Sequence, residues 1–167
     1  RALQAAFEAA GSPKNQAKEY FNCIHQPLLQ GQDHEEVLDL YPPPQLHILL
    51  GICNDMLRGL TSQWDKVDQW LKSCHVQPGS FHNGSLNGNS CMALLKGIDS
   101  LQQLAEAHGV FQVQSYVSAF RAFKDVVDGS FSCDLAIDLP LRIAAFKEAF
   151  WGLHLSVTPK VHTLLFH

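Results

Sequence analysis

Pro42-Pro43-Pro44-Gln45-Leu46-His47-Ile48-Leu49-Leu50-Gly51-Ile52-Cys53-Asn54-Asp55-Met56-Leu57 is the stretch on which the fold turns. Proline suits a first helical turn, where its missing N–H is not needed, but three in a row cannot carry a helix onward from upstream. Behind them Leu46, Leu49, Leu50, Cys53, Leu57, Leu60 and Trp64 recur at three- and four-residue steps, one face of a helix. Ile48, Ile52 and Met56 add a second apolar stripe, which predicts a helix buried over most of its circumference. The face through Leu46, Leu49, Leu50, Cys53 and Leu57 is the expected centre of the core. His47 falls in the first turn and reads as a hydrogen-bonded structural residue rather than a ligand.

Working outward, helical spacing recurs along the whole chain. Leu3, Ala6, Phe7 and Ala10 precede a break at Gly11-Ser12-Pro13, and Ala17, Tyr20, Phe21 and Ile24 make a second face. Pro27 and Gly31 mark a turn, and Val37, Leu38 and Leu40 form a short amphipathic piece beside Asp33, Glu35, Glu36 and Asp39. Those acids read as a solvated face. After the central helix, Val67, Trp70 and Leu71 either continue it or begin a new one near Thr61-Ser62. Pro78 to Ser90, rich in Gly, Asn and Ser, predicts an exposed loop, with Asn89 as the cap of the next helix.

That next helix carries Leu94, Leu95, Ile98, Leu101 and Leu104, and His108-Gly109 ends it. Val113, Tyr116, Val117, Phe120, Phe123 and Val127 form a further face, closed by Asp128-Gly129. Asp138 and Pro140 open another helix with Leu139, Ile143, Phe146 and Phe150 inside, and Gly152 breaks it. Thr158 and Pro159 start the last one. No stretch alternates long enough to be a strand. The expectation is an all-α fold, a single domain over residues 1–167 with about six or seven helices in an irregular bundle.

Composition narrows the function classes. The chain of 167 residues suffices for one domain with a real core. No apolar run is long enough to span a bilayer, so no membrane partner is expected. Arg1 in place of Met and an apolar run at the far end read as a piece of a longer protein. Five cysteines without close pairing fit reduced thiols in an intracellular protein better than a disulfide framework. A net charge of −4, without a Lys/Arg cluster, argues against a self-sufficient nucleic-acid-binding module. Phosphate-binding loops and the H-E-x-x-H and C-x-x-C motifs are absent from the sequence. Cys91, with His82 nearby and a helix start before it, has the setting of an activated thiol, though nothing orients a base toward it.

The best chemical signal is His162-x-x-x-x-His167, whose spacing falls within the range found in zinc sites. Residues five apart on a helix point about 140° from one another, so one ion can take both only if the helix loosens or ends near His167. A closed tetrahedral site needs two more ligands. Cys23 and His25 are the most economical pair. Cys74 with His75, and His82 with Cys91, are competitors.

Leu46-His47-x-x-x-Gly51, Leu86-Asn87-Gly88-Asn89 leading into Leu94-Leu95, and the closing His162-x-x-x-x-His167 occur in an order that resembles the RAG recombinase. They look like its zinc-binding helical region, shared with the Transib-type DDE transposases. The resemblance implies a helical insertion within an RNase H-like catalytic fold, with zinc held by an H-x₄-H pair and an upstream cysteine pair. Cys23-Ile24-His25 stands where that cysteine pair falls, so the implied zinc ligands are Cys23, His25, His162 and His167. The family's catalytic carboxylates lie outside this region, so no residue here inherits a catalytic role. Implied partners are the other domains of a parent protein and, through that protein, DNA, in the nucleus; a homodimer is also compatible. The alternative reading is a metal-free helical protein–protein interaction domain.

Overall fold

In the computed structural model, which describes residues 45–82, 84–131 and 135–166, the central stretch is helix α1, Gln45–Gln63. Leu49, Ile52, Cys53, Met56, Leu57 and Leu60 are buried, and they fall at alternating three- and one-residue steps on a single broad arc. Both sequence stripes therefore contribute. The arc differs from the expected one at two positions. Leu50 lies at its edge and is half-buried, while Leu46, in the first turn, stays 50% exposed with Gly88 beside it. Near the far end Thr61 Oγ1 donates to the Leu57 carbonyl and Ser62 Oγ to the Gly59 carbonyl. Those hydroxyls bond backward rather than starting a new helix, and α2, Val67–Ser73, begins only after the turn at Asp65-Lys66.

The expected loop over residues 78–90 is largely structured. Pro78–His82 is a short helix, α3, and Gly88–Lys96 is α4, with only the turn between them irregular. Phe81 and Leu86 are buried, and those two apolar residues tether a segment that is otherwise Pro78 with Gly, Asn, Ser and His. The cap of α4 is Asn87, not Asn89: its Oδ1 accepts from the Ser90 N–H at 2.9 Å. Leu86 is fixed a second way, because its N–H donates to Oδ1 of the buried Asn54 at 3.1 Å. The Asn54 amide in turn donates to the Leu50 carbonyl at 2.7 Å. Asn54→Ala would strand that Leu86 N–H in the interior and is expected to cost about 1–3 kcal/mol. Urea denaturation measures it, and a change under about half a kcal/mol would mean solvent replaces the bond.

Helix α5, Ile98–Ala107, follows α4 after Gly97 alone. A Cβ on Gly97 would collide with Cys74 Sγ, so the glycine lets the α4–α5 corner seat against the end of α2. The Trp70 indole donates to the Gly97 carbonyl at 2.9 Å and closes the same corner. Gly109, at φ +65°, turns the chain after α5.

Helix α6, Val113–Ser130, carries the expected spine: Val113, Tyr116, Val117, Phe120, Phe123 and Val127 are all buried. It runs past Asp128-Gly129 instead of stopping there. Gly129 is buried, and its carbonyl accepts from the Ala136 N–H at 2.9 Å. Helix α7, Leu139–Trp151, packs along α6 through Phe146 and Phe150. Asp138 does not cap it by a side-chain bond but pairs with Arg142 at 3.0 Å, and that guanidinium lowers its carboxyl's pKa. Helix α8, Pro159–Phe166, packs on α1 and buries Val161, Thr163 and Leu165.

The described residues are all-α, as the sequence predicts, with eight helices and no strand among them. They belong to one unit, Pro42–His167. The helical segments expected upstream of residue 42, and with them the single-domain reading over 1–167, reach outside the described residues. None of the described helices is long and apolar enough to cross a membrane.

Candidate functional site

Of the four expected zinc ligands, His162 is described, and Cys23, His25 and His167 lie outside the described residues. His162 is on the exposed side of α8 with its ring 4.8 Å from that of Phe166. The full donor set of one thiolate and three imidazoles is one that zinc accepts. Among the described residues no three His, Cys, Asp or Glu side chains come together as a metal group.

The competing pairs are drawn apart. Cys74 is buried beside Gly97, next to the hydroxyl of Ser73, and burial pushes its thiol pKa up. His75 takes a left-handed backbone, φ 58°, just past the end of α2. His82 Nε2 pairs with Asp68 Oδ1 at 2.8 Å on the surface. Cys91 is fully buried and faces Cys53 across the α1–α4 contact, so the activated-thiol reading with His82 fails. The Cys91 thiol and burial together push the Cys53 thiol well above its ordinary value.

Two of the three segments that carry the resemblance touch, with Leu46 against Gly88, while His162 lies away on the exposed side of the last helix. A cleft of about 180 Å³ opens where α1 crosses the turn before α4 and the start of α8. His47, Leu50, Gly51, Asn54, Asp55 and Arg58 line it from α1, Ser85 from the turn and Lys160 from α8. Gly51 has a specific job here. The Lys160 stem runs directly over it, through space that any Cβ at that position would occupy. Across the cleft, Thr158 Oγ1 donates to Asp55 Oδ2 at 2.9 Å, and Arg58 Nη1 lies 3.6 Å from Asp55 Oδ1. His47 and Gly51 belong to the resemblance, whereas nothing in the sequence assigns Asp55, Arg58, Ser85 or Lys160 to a site. A glycine inside an apolar helix was the one signal that another chain segment approaches there.

A second cluster lies farther along α8. Trp151 and Phe166, both near half exposed, stand edge to face at 6.3 Å, and Lys147 Nζ is 4.4 Å from the Phe166 ring centre. His162 borders it.

Comparison with known proteins adds no relative: no family model, no curated protein and no solved structure matches the chain.

Proposed function

We propose that the chain is a non-catalytic, zinc-stabilised helical module of a DDE-type DNA transposase or recombinase relative. In the full protein such a module holds neighbouring domains in place while they cleave and transfer DNA strands. The observation that supports this reading is the meeting of Leu46 to Gly51, the Ser85–Gly88 turn and the start of α8 around one cleft. Those segments are far apart in sequence, and each adjoins or contains one of the motifs that carry the resemblance. Zinc would bridge the last helix to the Cys23–His25 region and make metal binding part of the folding free energy.

Elemental analysis of the purified 167-residue chain, before and after chelator, tests it. The expected result is about one zinc per chain, lost in His162→Ala and His167→Ala together with a large drop in melting temperature. Metal-free protein whose two variants melt like the parent would reject the ligand set.

The second reading, a metal-free interaction domain, draws on Leu135, Ile137 and Leu141, which stand 64%, 102% and 74% exposed around the start of α7. Large apolar side chains that close together mark a contact surface more often than chance exposure does. The same zinc measurement separates the two.

A further inference from the structure

We propose that the cleft between α1 and α8 binds a single phosphate group, with the Lys160 ammonium and the Arg58 guanidinium as its cationic contacts and the Ser85 hydroxyl as a donor. Scale is the first reason. At about 180 Å³ the cleft falls below the roughly 300–1,000 Å³ of pockets built for small organic ligands, which leaves room for a compact ion.

Charge is the second. Lys160 has no carboxylate within ion-pair distance among the described residues, although its stem is laid against the glycine of α1. Asp55, the one acid in the lining, already accepts the Thr158 hydroxyl and flanks Arg58. Its charge is thus met by the wall and holds the guanidinium beside the opening. Two cations against one engaged carboxylate leave the cleft positive in a chain of net charge −4. A guanidinium, an ammonium and a hydroxyl lining one cleft are the donors that a tetrahedral oxyanion uses.

The phosphate has two possible sources, a free inorganic ion or the backbone of a nucleic acid, and both present the same oxygens. One contact of this kind positions a strand without reading its sequence and is compatible with an acidic module. Only the nucleic-acid source touches the proposed function, and the cleft stands on its own geometry.

Two substitutions isolate the feature. Lys160→Met keeps an unbranched stem over Gly51 and removes the charge. Gly51→Ala keeps the charge but places a methyl where the stem runs, so the ammonium must move. Amide chemical shifts of the full chain are followed against sodium phosphate, with sodium chloride at equal ionic strength as reference. Fluorescence anisotropy with a short labelled DNA duplex at several salt concentrations forms the second arm.

The expected result is a phosphate-specific shift at Ser85, Arg58 and Lys160. Each variant should weaken it about tenfold while the melting temperature holds. If DNA supplies the phosphate, Lys160→Met also lowers the salt slope of duplex binding by about one. A phosphate response without DNA binding supports the site and assigns it to the free ion. A parent that responds alike to phosphate and chloride, or variants that bind like the parent, would overturn the proposal. Zinc content of the same samples separates this result from the module reading: phosphate binding by zinc-free protein keeps the cleft and removes the module.

Discussion

Trp70→Ala is expected to cost about 3–5 kcal/mol, enough to bring a domain of this size close to unfolding. The indole is fully buried and meets Phe120 of α6 edge to face at 5.3 Å. Truncation removes that contact and opens a cavity between α2 and the spine of α6, where the surrounding helices can collapse only in part. It also leaves the Gly97 carbonyl without its 2.9 Å donor at the corner where α4 passes into α5. Trp70→Phe divides the two effects. Phenylalanine keeps most of the ring volume and loses the N–H, so its deficit should be roughly 1–2 kcal/mol if the hydrogen bond counts alone. Equilibrium denaturation of both variants measures this. A Trp70→Phe deficit equal to that of alanine would mean that the bond, not the ring volume, holds the corner.

What could be read from the sequence follows from the range over which each cause acts. The spine of α6 was legible because six large apolar residues repeat at helical spacing and periodicity is a local property. The same holds for α1 as an element, but not for its buried arc. Which residues of two adjacent stripes face inward depends on the neighbours, and Leu46, beside Gly88, stays half exposed. Between Pro78 and Ser90 the composition pointed to a loop, yet Phe81 and Leu86 anchor the segment to the core. Two apolar residues carry no period, so their effect was invisible until the surface they meet was known.

The site was less legible than the fold. Cys91 sits near a helix start, a local feature, while its full burial against Cys53, out of reach of a substrate, is a tertiary one. The cleft is tertiary throughout: Asp55 and Thr158, which bond across it, are 103 residues apart. Gly51 is the exception, since glycine within an apolar helix interior costs stability relative to alanine and so asks for a reason. The passage of Lys160 supplies one.

Phe146→Ala should lower stability by a similar amount, about 3–5 kcal/mol, but with a different distribution over the molecule. Helix α7 has just two fully buried side chains, Phe146 and Phe150, among its 13 residues. Phe146 packs on Phe123 of α6 at 5.0 Å and on Phe150 at 5.7 Å, so both anchors pass through one aromatic cluster. The rest of the helix is at most partly buried: Leu139, Ile143 and Ala149 border the core, while Leu141 is 74% exposed and Trp151 44%. A helix of this length is marginal without its packing, so loss of one anchor should let α7 open before the remainder unfolds. Native-state hydrogen exchange reads that directly. In the variant, α7 amides are expected to exchange through a low-energy opening while those of α1 and α6 follow global unfolding. The zinc proposal makes the outcome informative beyond packing, because α7 ends on Trp151, which stands against Phe166 of α8. Should α8 lose protection together with α7, the aromatic contact would be what seats the last helix. Should α8 hold while α7 opens, the buried Val161 and Leu165, or a metal at His162, keep it in place, and chelator added to the same sample tells these two apart.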